Sequence, residues 1–167
     1  TYDSHIEQLS QHVNVLTIDL PGHGKDTSDM NDTWDFPYIA HALDEVLSQY
    51  DMYDVYLLGY SMGGRVALYY ALNGSVALRG LLLESTSAGI QSEADKVERV
   101  QVDAARAKVL EIAGLEIFVN DWEKLPLFRS QYELDAEVRK AIRANRMSQN
   151  PVRLAKALRD YGTGNMP

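Results

Sequence analysis

The run Gly59-Tyr60-Ser61-Met62-Gly63-Gly64-Arg65 lies between the apolar, strand-like Val55-Tyr56-Leu57-Leu58 and the helix-like Val66-Ala67-Leu68-Tyr69-Tyr70-Ala71-Leu72. It puts one serine at a sharp strand-to-helix turn flanked by glycines, the G-x-S-x-G nucleophile elbow. The reason is steric. A serine held in such a turn takes a sparsely allowed backbone conformation, and strand and helix approach each other closely only where the neighbouring residues are small. Gly59 and Gly63 are expected to supply that room. Ser61 then stands above the sheet beside the unpaired N–H groups that open a helix, and the Met62 N–H is a candidate oxyanion donor. The pattern is common by itself; the apolar flanks on both sides carry the reading.

Working outward, Val13-Asn14-Val15-Leu16-Thr17-Ile18 has the length and β-branched content of a buried parallel strand. The breaker-rich Asp19-Leu20-Pro21-Gly22-His23-Gly24 ends it. Phe36, Ile39, Leu43, Val46 and Leu47 recur at helical spacing and predict an amphipathic helix closing near Tyr50. Beyond the elbow helix, Leu78, Leu81, Leu82 and Leu83 predict a third strand that ends at Glu84-Ser85-Thr86-Ser87. Strand, helix, strand, helix, strand with short links is the pattern of an α/β parallel sheet. Ligands of such sheets gather beyond the carboxyl ends of the strands, where the loops at His23, Ser61 and Ser85 fall.

After Gly89 the pattern turns helical. Val97, Val100, Ala104 and Ala107 share one face, and Val138, Ala141, Ile142 and Asn145 another. Asn150-Pro151 reads as a cap with proline at the first helical position, opening a helix through Leu154, Ala155 and Leu158. No strand of comparable quality is predicted over residues 92–167. The expected organisation is a partial core over residues 1–89, a helical cap over 90–160 and the start of a return to the core over 161–167.

A chain of 167 residues with 46% hydrophobic content can bury one good core. It contains no cysteine, which excludes disulfides and thiolate metal sites. No His/Asp cluster has metal-ligand spacing, so neither metal nor cofactor is expected. The absence of a transmembrane-length apolar run or an opening signal segment points to a soluble, cytoplasmic protein with no membrane partner. A net charge of −8 disfavours nonspecific nucleic-acid binding, because a polyanion is repelled.

A serine nucleophile needs a base. His5, His12, His23 and His41 all precede the elbow, whereas elbow enzymes run Ser, then Asp or Glu, then His. The base, its orienting acid and the upstream oxyanion loop are therefore expected outside this chain, which reads as cut at both ends, and the isolated piece is expected to be inactive. His23 sits at the correct end of the sheet, but Pro21-Gly22-His23-Gly24 reads as a tight turn packed under the site, a structural role.

The motif Asp19-Leu20-Pro21-Gly22-His23-Gly24, the elbow with its Arg65, and Asn120-Asp121-Trp122 with Pro126 and Phe128 resemble the α/β-hydrolase superfamily. Within it they resemble the 2-succinyl-6-hydroxy-2,4-cyclohexadiene-1-carboxylate synthases of menaquinone biosynthesis. The resemblance implies an α/β-hydrolase core, its parallel sheet lacking N- and C-terminal strands, with a helical cap. It implies a carbon–oxygen lyase acting on 2-succinyl-5-enolpyruvyl-6-hydroxy-3-cyclohexene-1-carboxylate: a proton is abstracted, pyruvate is expelled, and a conjugated diene remains. Carried onto this chain, it implies Ser61 as the triad serine, with Tyr60 and Met62 at the oxyanion region. Arg65 and Arg99 would hold substrate carboxylates, and Trp122 would line the pocket from the cap.

A small polycarboxylate is well held by guanidinium forks, which stay charged and pair bidentately. The competing reading of Arg65 and Arg99 is ordinary pairing on a solvated face, with Lys96, Glu98 and Asp103 as neighbours of Arg99. A serine carboxylesterase or carbon–carbon bond hydrolase would use the same fold and elbow. A non-catalytic relative serving as a binding protein is the third reading.

Overall fold

The computed structural model describes residues 2–167. In chain order, α1 (Asp3–Leu9) and α2 (Phe36–Leu47) precede the strand β1 (Tyr56–Tyr60). Helix α3 (Met62–Asn73) leads from β1 to β2 (Gly80–Glu84), and α4 (Glu93–Ile112), α5 (Leu115–Trp122), α6 (Ala136–Met147) and α7 (Pro151–Tyr161) follow. The two strands pair in parallel, with Tyr56 opposite Gly80 and Tyr60 opposite Glu84. Parallel neighbours need a long crossover, and α3 supplies it.

Local chemistry sets the helix boundaries. The Asp35 carboxylate caps α2 by accepting from the Tyr38 N–H at 2.8 Å, and the helix buries Phe36, Ile39, Ala40, Leu43 and Leu47 along one stripe. Asn150 caps α7 through the N–H groups of Val152 and Arg153, with Pro151 just inside.

The main core joins Trp34, Phe36, Ile39 and Leu43 to Val66 and Tyr70 of α3, and to Ala157, Tyr161 and Met166. A smaller cluster of Ala107, Leu110 and Ala155 lies between α4 and α7. Helix α7 thus belongs to both. Its hold on the loop before α2 is also polar: Arg153 and Lys156 lie 5.0 and 4.9 Å from the ring centroid of fully buried Trp34, and Arg153 pairs with Asp26. Cation–π contacts of this desolvated kind are worth about 2 kcal/mol.

Two expectations need correction. Residues 14–20 form no ladder, and the sheet among the described residues has two strands, not three. Val13, Leu16 and Ile18 are correspondingly 56, 47 and 37% exposed. β-Branched residues favour an extended backbone, but a strand exists only where a partner takes its N–H and C=O groups, and no described segment does so here. The buried face of α4 is Asp103, Ala107 and Leu110, whereas Val97 and Val100 remain exposed. The helix is rotated toward α7, whose Ala155 packs on Ala107 and Leu110. Helix α6 buries no residue and is tied down by polar contacts: Arg143 and Arg146 bond Glu123 at 2.7 and 3.0 Å.

Candidate active site

Ser61 joins β1 to α3 with φ 53° and ψ −115°. A non-glycine residue at positive φ costs about 1–3 kcal/mol and persists where its surroundings over-determine it. Here they do. The Ser61 N–H donates to the Glu84 carbonyl at 2.9 Å, and its own carbonyl accepts from Gly64 N–H, Arg65 N–H and Thr86 Oγ1 at 3.0, 3.2 and 2.7 Å. Ser85, at φ 48°, forms a second such bend at the end of the neighbouring strand.

The glycines divide the steric work differently from the sequence expectation. A Cβ on Gly59 would lie 2.5 Å from the Gly63 carbonyl oxygen, and one on Gly64 would lie 2.6 Å from the Thr86 Cβ. One on Gly63 would meet nothing within 4 Å. Gly59 and Gly64 therefore supply the close approach, and Gly63 does not. The motif fixes glycine spacing but not which of the paired glycines faces the second strand. Ser61 is partly exposed at this end of the sheet, and Tyr60 is 38% exposed beside it. The Met62 side chain packs against the main core while its N–H opens α3.

One turn into α3 stands Arg65, half-buried, with its Nε shielded from solvent and lacking a hydrogen-bond partner. Burial and then the positive charge of Arg99 hold its pKa below the usual guanidinium range, with Asp103 opposing. Arg99 reaches this region from α4. Its Nε donates to Asp103 Oδ2 at 3.0 Å, and Arg106 Nη1 donates to Asp103 Oδ1 at 3.3 Å. The Arg106 guanidinium lies 5.3 Å from the centroid of Trp122, which stacks on Phe118 at 5.4 Å and touches Phe128 at 5.6 Å.

Arg99 and Trp122 are therefore linked through two residues that sequence reasoning did not single out as functional, Asp103 and Arg106. Asp103, read from the sequence as part of a solvated face, has a side chain only 2% exposed. The available signal was its spacing: Arg99, Asp103 and Arg106 fall at i, i+4 and i+7 on one helix, where such side chains meet.

His23 is built into its own turn. Its Nδ1 lies 3.2 Å from the Pro21 carbonyl and 3.1 Å from the Tyr161 hydroxyl, which itself donates to that carbonyl at 2.5 Å. Burial pushes its pKa down. Two surface clefts are lined by other residues, one by Asp19, Lys25, Asn145 and Gln149, the other by Glu93, Val97, Val100 and Gly164. Among the described residues no three His, Asp or Glu side chains gather as a metal site, and no helix is long and apolar enough to cross a membrane.

This geometry has counterparts. The chain is 34% identical over 143 residues to 2-succinyl-6-hydroxy-2,4-cyclohexadiene-1-carboxylate synthase of Klebsiella pneumoniae, covering 86% of this chain and 55% of that protein. A Bacillus subtilis relative, provisionally given the same synthase name, is 34% identical over 163 residues, 97% of this chain and 60% of its own length. The solved structure of MenH from S. aureus superposes with a TM-score of 0.98 at 60% identity, covering 99% of this chain and 62% of that one. The chain thus spans between about half and three-fifths of the length of the proteins it resembles. Residues 2–164 match the family described as alpha/beta hydrolase fold. A strained serine between a parallel strand and its crossover helix is the hallmark of that family's elbow, and the chain belongs to the α/β-hydrolase fold family.

Proposed function

We propose that the whole protein carrying this chain is a 2-succinyl-6-hydroxy-2,4-cyclohexadiene-1-carboxylate synthase, a cytoplasmic carbon–oxygen lyase of menaquinone biosynthesis that needs no cofactor. The observation that carries the reading is Arg65, a half-buried guanidinium with an unpartnered Nε one turn beyond the elbow serine and within reach of the charge of Arg99. The single carboxylate of Asp103 already pairs with Arg99 and Arg106 and offsets only part of the positive charge around Arg65, so a further anion is favoured there. A neutral ester gives them nothing to bind, whereas a substrate bearing several carboxylates does. The synthase name carried by the Klebsiella relative supports the same choice.

In this reading Ser61 acts in proton abstraction together with a histidine supplied outside residues 1–167. The electron pair left on carbon moves into the ring to complete the diene. The carbon–oxygen bond to the enolpyruvyl group breaks, its oxygen keeps the bonding pair, and protonation yields pyruvate. Met62 N–H and Tyr60 flank the developing negative charge, Arg65 and Arg99 hold substrate carboxylates, and Trp122 walls the pocket from a cap formed by residues 90–160.

The test compares two assays on the whole protein. Release of pyruvate with growth of diene absorbance is expected, together with loss of turnover by orders of magnitude in Ser61→Ala. Steady hydrolysis of a nitrophenyl ester without pyruvate release would assign the protein to the hydrolases instead. Near-unchanged turnover of Ser61→Ala would remove the mechanism.

A further inference from the structure

A carboxylate as far from water as Asp103, 2% exposed, is tolerated only when paired and hydrogen-bonded. Its two oxygens are taken by two different arginines, Oδ2 by Arg99 Nε at 3.0 Å and Oδ1 by Arg106 Nη1 at 3.3 Å. The end of α7 is shaped around it. A Cβ on Gly162 would lie 2.6 Å from Asp103 Oδ2, so any larger residue there would press on the carboxylate.

Stability alone does not account for such a cluster. Pairs at i, i+3 and i, i+4 contribute a few tenths of a kcal/mol on a helix, and well-packed apolar residues in place of a buried ion triad are often at least as stable. What the cluster does fix is direction. By taking Arg99 at Nε, Asp103 uses one of five guanidinium donors, and neither terminal nitrogen has a hydrogen-bond partner among the described residues. Its other oxygen holds Arg106, whose guanidinium lies against Trp122.

We propose that Asp103 is a positioning residue: it pins Arg99 by Nε so that the terminal fork of Arg99 and the guanidinium of Arg65 converge on one carboxylate of the substrate, and through Arg106 it registers Trp122 to the same point. The proposal rests on the polycarboxylate reading of the site. It adds a buried acid, itself out of contact with substrate, as the element that orients the carboxylate grip.

The test is a double-mutant cycle on the whole protein, because residues that act as a unit give non-additive effects. Asp103→Asn is expected to raise KM for the synthase substrate about ten-fold with kcat within about three-fold, as Arg99→Ala does, and the double variant is expected to be no worse than Arg99→Ala alone. Additive losses, or an unchanged KM in Asp103→Asn, overturn the proposal. Should Asp103→Asn fail to fold, Arg99→Lys decides: lysine can satisfy Asp103 but retains no fork, so it should lose as much affinity as Arg99→Ala while keeping the melting temperature. Retained affinity in Arg99→Lys overturns the proposal. If the unsubstituted protein releases no pyruvate, the lyase reading fails separately, and the same cycle is read on succinate binding by calorimetry. The same non-additive pattern sustains the role of Asp103, and absence of succinate binding refutes it.

Discussion

Thr86 Oγ1 donates to the carbonyl oxygen of Ser61 at 2.7 Å, so the loop leaving β2 grips the strained residue that ends β1. The Glu84 carbonyl takes the Ser61 N–H from the other side. Between Glu84 and Thr86 lies Ser85, itself at positive φ. The bend at Ser85 thus sits between the two residues that hold Ser61. Replacing Thr86 by valine keeps the shape and removes the donor. It is expected to cost about 1 kcal/mol, seen as a lower urea midpoint at unchanged m-value. An unchanged midpoint would show that the Gly64 and Arg65 N–H groups alone suffice for the Ser61 carbonyl.

The elbow glycines should separate cleanly. Gly59→Ala and Gly64→Ala force a Cβ to within 2.5 and 2.6 Å of the Gly63 carbonyl oxygen and the Thr86 side chain, respectively. Overpacking of this kind costs about 1–3 kcal/mol. Gly63→Ala meets open space inside a helix and should raise stability by about 0.5–1 kcal/mol. Thermal unfolding of the three variants checks the order, and equal destabilisation by Gly63→Ala would contradict it.

These contrasts mark what a sequence reveals and what it withholds. The elbow and α2 were legible because their determinants are local: glycine spacing and an apolar stripe. The extended stretch at residues 13–18 was legible as backbone preference but not as a strand, since pairing depends on a partner elsewhere. Asp103 was misread for the same reason. Its spacing to Arg99 and Arg106 is written in the chain, whereas its burial comes from the end of α7, where Gly162 closes over it. Arg65 could be picked out by its place after the elbow, but only three dimensions reveal that its Nε is buried without a hydrogen-bond partner among the described residues.

His23 gives a pH test of the loop. Burial lowers its pKa from the ordinary value, with the Pro21 carbonyl, Asp26 and Asp19 opposing. Between the depressed folded value and the ordinary one of about 6.5, the unfolded chain binds more protons than the native one. Stability therefore rises with pH across that window and falls as pH drops below about 6.5, at no more than about 1.4 kcal/mol per pH unit. Urea unfolding at a series of pH values from neutrality downward should reveal the slope, and His23→Gln should flatten it. A slope that survives the substitution would assign the effect to other groups.

Arg65 offers the sharpest opposition between stability and function. A structural arginine loses stability when truncated, because its partner is left unpaired. Arg65 has a buried, unsatisfied Nε and a second arginine nearby, so Arg65→Met removes a desolvated charge and a repulsion while filling much of the same volume. Stability is expected to rise by about 1 kcal/mol. The catalytic efficiency of the whole protein toward the polycarboxylate should drop at least a hundred-fold, about 3 kcal/mol of transition-state binding. Succinate should raise the melting temperature of the unsubstituted protein and leave that of Arg65→Met unmoved, because only a folded state that binds the ligand is stabilised by it. A variant that is both less stable and fully active would place Arg65 among the ordinary surface pairs, and with it the case for a carboxylate grip beside Ser61 would fall.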